Sequence, residues 1–362
     1  MKVAIVHHWL IKMGGGEKVV EYLCDLYPEA DIYTHVYDQT KISDKINKHN
    51  VNTTFIGKLP LSKKYYKHYL PLMPLALKLL NLNEYDLIIS SESGPSKGFC
   101  KKGNSIHICY CHSPMRYLWD LSNEYNKKFN FLEKIVSKIV FPFLRKWDVK
   151  TAKDIDLIIA NSNFVSNRIF NCWQQQSKVI HPAINYSEFS ISSNVSDYYL
   201  VLSRHVPYKK IDIVIEAFNV NSKKVIIIGD GPNLKEMQKI SKTENIKFLG
   251  WLDDKTKKKY LSECKALLFP GIEDFGIVPI EAMASGRPVI AYNKGGALDY
   301  VVENTNGLFF DKQTPDCLNN KINEFEINYE KFNPALIRDS VKKFDKKYFF
   351  KEINKEISKI LT

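Results

Sequence analysis

Short runs of β-branched and aliphatic residues recur along the chain, separated by stretches whose apolar residues fall at helical spacing. In the first half the runs cover residues 3–8, 32–36, 87–90, 106–110, 157–160 and 179–181. The pattern then begins again, with runs at 199–203, 225–229, 248–249, 266–269, 289–291 and 308–310. Strands alternating with helices predict parallel sheets covered on their faces by helices. Most of the later runs are continuously apolar, as in strands buried on both faces. The two series predict a first domain over 1–183 and a second over 198–362, joined by a polar Ser/Asn-rich linker over 184–197. Doubly wound units of this kind bind ligands beyond the carboxyl ends of their strands, so a cleft there is the expected site. A last helix, 346–361, carries Phe349, Ile353, Ile357 and Leu361 every fourth position, a core-facing stripe able to pack on either domain, including back on the first.

A length of 362 residues suits two domains, and 44% apolar with 25% charged residues can bury large cores. The seven cysteines have neither Cys-x-x-Cys nor zinc-ligand spacing, which fits a reducing cytoplasm and disfavours a disulfide framework or a metal site. The first eight residues are too short an apolar run for a signal peptide, and the 70–80 stretch is broken by two prolines and Lys78, so no membrane span is expected. The net charge of +12 is uneven: residues 1–183 hold 25 Lys and Arg against 16 Asp and Glu, the remainder 27 against 24. Much of the excess lies beside apolar residues, as at Lys63, Lys64 and Lys67 before the 70–80 stretch and at Lys127 and Lys128 before 129–147. Basic and apolar together suit an anionic membrane surface, although ordinary core helices under a soluble face would read alike. Nothing resembles a nucleic-acid recognition motif.

Chemistry concentrates in a few strand-to-helix turns. Gly14, Gly15, Gly16 and Glu17 follow the first strand, where backbone amides and a helix N-terminus can approach an anion, or simply make a tight turn. In Arg204-His205-Val206-Pro207-Tyr208-Lys209-Lys210 two cations flank a proline-fixed turn and could converge on a diphosphate. In the 270–286 segment, amides of Phe275, Gly276, Ile277 and Val278 could face an anion, Glu273 could accept sugar hydroxyls, and Glu281, beyond the first helical turn, could accept a ribose diol. Glu92 near a strand end is either an acceptor contact or part of a polar loop.

These motifs, in this order, resemble the retaining glycosyltransferases of glycosyltransferase family 4. Glu273 and Glu281 match the family's Glu-x7-Glu element, Arg204 and Lys209 its Arg-x-x-Pro-x-Lys element, and Gly229, Asp230 and Gly231 its second-domain glycine turn. Gly14 to Glu17, Asn161-Ser162 and His181-Pro182 also correspond, whereas Lys210 stands where a glycine often follows the lysine. The segment from Tyr110 to Asp120 resembles bacterial mannosyl- and rhamnosyltransferases of O-antigen and related polysaccharide assembly. The resemblance implies a GT-B fold, two Rossmann-like domains with an interdomain cleft, and hexosyl transfer with retention from a nucleotide diphosphate sugar to a lipid-linked glycan. It implies no metal or other cofactor, and a cytoplasmic enzyme peripheral to the inner face of the membrane. Arg204 and Lys209 would meet the diphosphate with Gly15 and Gly16, Glu273 the sugar, Glu281 the ribose and His112 the reacting carbon; Arg116, Tyr117 and Trp119 are candidates for acceptor or donor contacts. GDP-mannose or a GDP-deoxyhexose is the first expectation for the donor, UDP-sugars the second. A sugar-nucleotide epimerase and a noncatalytic nucleotide-sugar binder remain open at this point.

Overall fold

A computed structural model describes residues 1–100, 103–120, 122 and 130–361, with the side chains of Leu132 and Leu361 excepted. The Lys127-Lys128 pair and the Leu361 end of the helical stripe therefore lie outside the described residues. The chain divides into two compact units, Met1–Pro182 with Phe350–Thr362, and Ala183–Phe349.

In the first unit seven parallel strands, β1 (Val3–His7), β2 (Asp31–Thr34), β3 (Val51–Thr53), β4 (Leu87–Glu92), β5 (Ile106–Cys111), β6 (Leu157–Ala160) and β7 (Lys178–Val179), lie in the order β3-β2-β1-β4-β5-β6-β7. Every residue of β1 and β4 is buried, as continuous apolar runs with helices on both faces require. The connecting helix Gly15–Leu26 turns Val19, Val20, Tyr22 and Leu23 inward, a helical face against the sheet. β3 is absent from the apolar pattern: it is a three-residue edge strand whose only aliphatic side chain is Val51, and its pairing with β2 defines it.

The second unit has six parallel strands, β8 (Tyr199–Leu202), β9 (Val225–Ile228), β10 (Ile246–Gly250), β11 (Ala266–Phe269), β12 (Val289–Tyr292) and β13 (Gly307–Phe310), ordered β10-β9-β8-β11-β12-β13. The segment expected to link the units, 184–197, is part of this second unit. Its apolar residues Ile184 and Phe189 are buried, the Ile184 amide donates to the Phe344 carbonyl at 2.9 Å, and the Ser196 amide donates to the Glu263 carbonyl at 2.8 Å. Two apolar anchors in a polar stretch are enough to seat it.

In each sheet the chain reverses its direction of winding once, between β1 and β4 in the first and between β8 and β11 in the second. Beyond such a point the connections diverge to opposite faces and leave a crevice at the strand ends. The final helix, Lys346–Leu361, buries Phe349, Ile353 and Ile357, and Phe350 sets its ring edge-on to Tyr22 of the first unit at 6.4 Å.

Candidate active site

In the second unit the reversal point gathers two loops. After β8 the chain runs through Arg204 and a single tight turn, Pro207–Lys209, into the helix Ile211–Val220. After β11 it runs through 270–276 into the helix Ile277–Ala284. The loops touch because Gly271 has no side chain: a Cβ there would stand 2.9 Å from both the Lys209 Cα and the Tyr208 carbonyl oxygen. That approach brings Lys209 Nζ and a Glu273 carboxylate oxygen into an ion pair, with side chains only 18% and 15% exposed. Gly229 and Gly231 allow a second close approach, since a Cβ on either would enter the backbone at Ser203 or His205, 1.9 and 2.3 Å away. The His205 amide donates to the Asp230 carbonyl at 3.0 Å, which ties the glycine turn to the Arg204 loop. Arg204 itself is exposed, and the His205 ring is fully buried.

Glu273 is held from behind. Its carbonyl accepts the Gly296 amide at 2.9 Å, and a Cβ at Gly295 or Gly296 would collide with the Glu273 or Phe275 backbone. The Gly295-Gly296 pair thus supports the Glu273 loop, and a double glycine just after a strand is its only signal in the sequence. The Phe275 side chain is core, packed on Tyr300 and Phe344, and its carbonyl accepts the Tyr300 hydroxyl at 2.9 Å. Gly276 adopts φ +88°, where a Cβ would meet the Phe269 and Tyr300 rings at 2.7 Å, so glycine is needed to start the next helix. Ile277, Val278 and Glu281 are half-buried on that helix.

In the first unit the reversal point brings three strand ends side by side. His7 pairs in register with Ser91 across β1 and β4, and Glu92 with Cys111 across β4 and β5, so that His112 emerges next to them. The Ser91 hydroxyl lies 3.0 Å from His7 Nδ1 and 2.8 Å from His112 Nε2. Gly16, in the turn beginning the helix that also carries Gly15, would place a Cβ 3.6 Å from both the His112 and His7 rings, in ordinary contact. Glu17, in the first helical turn, sets a carboxylate oxygen 3.5 Å from His7 Nε2. Burial holds the His7 imidazole neutral, pushing it down to about 3, and the same burial raises the Glu17 carboxyl above the usual range.

Glu92 faces the interior of the first unit. It is wholly buried and takes the Ser96 amide at 3.0 Å and Lys97 Nζ at 3.3 Å. Lys97 is also wholly buried and pairs with Asp148, whose second oxygen accepts the indole N–H groups of Trp119 at 2.9 Å and Trp173 at 2.7 Å. Trp119 is thereby anchored, with the Arg145 guanidinium 5.9 Å from its ring centroid. Tyr117 packs toward Phe141 at 6.4 Å, and Arg116 is half-buried in the same loop.

Comparison with known proteins gives this arrangement its family. Residues 13–188 match Glycosyltransferase Family 4 and residues 187–339 match Glycosyl transferases group 1. The chain is 26% identical over 330 residues to the alpha-1,3/1,6-mannosyltransferase ALG2 of Dictyostelium discoideum, covering 76% of each chain. It is 26% identical over 200 residues to the O-antigen chain mannosyltransferase RfbU of Salmonella typhimurium, covering 52% of this chain and 57% of the relative. Among solved structures, HepE of Anabaena in complex with UDP-glucose superposes with a TM-score of 0.70 at 20% identity, over 99% of this chain and 100% of that one. Sucrose-phosphate synthase of Thermosynechococcus elongatus superposes with a TM-score of 0.76 at 16% identity, over 100% and 99%. With two parallel α/β units and matches running from residue 13 to residue 339, the chain belongs to the family 4 glycosyltransferases of GT-B fold.

Proposed function

We propose that the protein transfers mannose or a related hexose, with retention, from a nucleotide diphosphate sugar to a lipid-linked glycan in cell-surface polysaccharide assembly. The observation that carries this reading is the Lys209–Glu273 pair at the reversal point of the second sheet, where an α/β unit presents its ligand groups. Arg204 and Lys209 take the diphosphate, with the amides of Gly15, Gly16, Phe275, Gly276, Ile277 and Val278; Glu273 takes the sugar hydroxyls, Glu281 the ribose diol, Gly229 to Gly231 the turn beside them, and His112 the reacting face. As the glycosidic bond to the leaving phosphate breaks, Arg204 and Lys209 neutralise the charge that develops, so no metal is called for. The departing phosphate oxygen accepts the proton of the attacking hydroxyl, which forms the new bond on the same face. The mannosyltransferase relatives support mannose, and the O-antigen relative supports a lipid-linked acceptor.

The acceptor's lipid implies a membrane surface, and the first unit is suited to one. On the helix Phe131–Ala152, Phe131, Ile135, Ile139 and Phe143 recur every fourth residue and are 77, 43, 71 and 60% exposed, with Lys134 and Lys138 among them. Leu72, Leu75 and Leu79 are exposed on a second segment, and no acidic residue occurs between Asp44 and Glu84. Apolar stripes flanked by cations fit an anionic leaflet, so we place the enzyme peripherally on the cytoplasmic face. Among the described residues no helix is long and apolar enough to cross a membrane.

The test is thermal unfolding with GDP, UDP, ADP and dTDP, followed by transfer from the matching sugar nucleotide. A ligand at 100 times its Kd adds about 2.7 kcal/mol to the unit that binds it. The expected result is the largest shift with GDP and transfer from GDP-mannose; a shift with UDP alone sinks the mannose donor, and isomerised donor without transfer sinks the reaction.

A further inference from the structure

Glu17, His7, Ser91 and His112 form one continuous line of side chains. Glu17 Oε1 to His7 Nε2 is 3.5 Å, His7 Nδ1 to Ser91 Oγ 3.0 Å, and Ser91 Oγ to His112 Nε2 2.8 Å. The Ser91 hydroxyl owns one proton and two lone pairs, so it can donate to only one histidine and relays between the two when it accepts from the other. A neutral imidazole likewise carries one proton, on one nitrogen or the other. A relay through Ser91 can therefore run in two directions, and the Glu17 carboxylate, within ion-pair distance of a His7 Nε2 that makes no hydrogen bond, biases which one is taken. With Glu17 ionised, His7 Nε2–H points to Glu17, Ser91 donates to His7 Nδ1, and His112 Nε2–H donates to Ser91. With Glu17 protonated that bias is lost and the opposite direction opens, in which Ser91 donates to His112 Nε2 and the His112 proton sits on Nδ1.

We propose that Glu17, acting through His7 and Ser91, sets which ring nitrogen of His112 carries the proton. Glu17, His7 and Ser91 are then positioning residues for His112. Reversal moves one proton per link: His112 takes a proton at Nδ1 from solvent or a substrate hydroxyl, its Nε2 proton passes to Ser91, the Ser91 proton to His7 Nδ1, and the His7 Nε2 proton to Glu17. Charge balances, since the proton entering at His112 ends as the neutral Glu17 acid. His8 also packs against the line, its ring 4.1 Å from that of His7 and its Nε2 3.3 Å from the Ser93 hydroxyl. Burial keeps His7 and His8 neutral, so neither short-circuits the line by charging. Glu17 lies in the same turn as Gly14, Gly15 and Gly16, so an anion bound there favours the protonated acid and couples donor binding to His112. The consequence for rate rests on the glycosyl-transfer reading above; the line of contacts does not.

The experiment is nitrogen NMR of 15N-histidine-labelled full-length protein across pH, with steady-state transfer measured alongside. The wild type should shift His112 from Nε2–H toward Nδ1–H as the Glu17 carboxyl takes its proton. Glu17→Gln should abolish that shift, and Ser91→Ala should leave the two groups titrating independently. Ser90→Ala is the control for packing: it removes an equally buried serine–histidine bond, to His107 at 2.8 Å, and should leave the His112 response intact. In Glu17→Gln and Ser91→Ala, kcat should fall on the order of 10-fold with donor KM within about twofold, by analogy with loss of the orienting partner of a metal-bound histidine. The proposal is overturned if the His112 tautomer responds alike in wild type, Glu17→Gln and Ser91→Ala. It is equally overturned by a stoichiometric transition-metal ion on His7, His8 and Glu17, whose ligand atoms lie within 4.8 Å of one another. If the tautomer responds as expected and kcat does not move, the line stands and the assignment of His112 to the sugar fails.

Discussion

Lys209 and Lys210 are adjacent and alike in charge, yet the backbone separates their roles. Lys209 closes the single turn after Pro207 and reaches Glu273, whereas Lys210 sits at φ +55°, ψ +36°, in the left-handed region. A non-glycine residue there costs about 1 kcal/mol, which accounts for the glycine that similar enzymes often carry at this place. Lys209→Ala should cost about 3 kcal/mol of transition-state stabilisation, roughly two orders of magnitude in kcat at saturating donor. Lys210→Gly should keep activity and lie within about 1 kcal/mol of wild type in thermal unfolding, strain relief offsetting chain entropy. A crippled Lys210→Ala beside an active Lys209→Ala would contradict this assignment. Glu273 and Glu281 divide in the same way, one on the loop facing Lys209 and the other a turn into the helix. Glu273→Gln should nearly abolish transfer while sparing affinity for the nucleoside diphosphate, and Glu281→Gln should weaken that affinity. Calorimetry decides: if Glu273→Gln binds the nucleotide worse, the two roles are reversed.

The helix Phe131–Ala152 illustrates how one element serves two solvents. Leu144 and Asp148 are fully buried, yet the face with Phe131, Ile135, Ile139 and Phe143 is exposed. Ile139→Glu with Phe143→Glu should reduce cosedimentation with anionic vesicles while sparing turnover of a soluble acceptor analogue. Removing the charges of Lys63, Lys64 and Lys67 should act similarly, each contributing about 1 kcal/mol near the surface at low salt. Of these, Lys63 lies 3.5 Å from Asp38 and should count least. Sedimentation unchanged in both variants would leave the stripes without a membrane role. The same element scale explains what could be read in advance. Apolar runs announce β1, β4, β8 and β11 because burial on both faces leaves no alternation to confuse, and the Lys209 and Glu273 motifs lie at fixed spacing from such strands. The contact of Ser91 with two histidines depends on parallel register among three strands, with His7 84 residues and His112 21 residues away in the chain, which no local pattern encodes. Gly295 and Gly296 carry little local signal for the same reason: their meaning lies in the Glu273 backbone they approach.

At the scale of the whole molecule, acid acts through buried histidines, His205 in the second unit and a larger group in the first. The first unit buries His7, His8 and His35 in neutral form, with burial pushing His7 down to about 3 and His35 to about 4. Unfolded, each takes a proton near pH 6.5; folded, each resists until far lower. Their contribution is therefore whole above pH 6.5 and is lost as pH falls from there toward 4, at about 1.4 kcal/mol per pH unit for each histidine. Trp9, Trp119, Trp147 and Trp173 all belong to the first unit, so tryptophan fluorescence reports chiefly on it. Its midpoint should drop between pH 7 and 5.5, and a midpoint unchanged over that range would mean these rings can charge in place. The chain also crosses between the units twice, after Pro182 and again at Phe349, because residues 350–361 return to the first unit. A ribosome thus delivers nearly all of the first unit before any of the second, but its closing helix only after the second has been made. The first unit begins earliest and finishes last, and until then the surface meant for Ile353 and Ile357 stays open to whatever in the cell guards nascent chains.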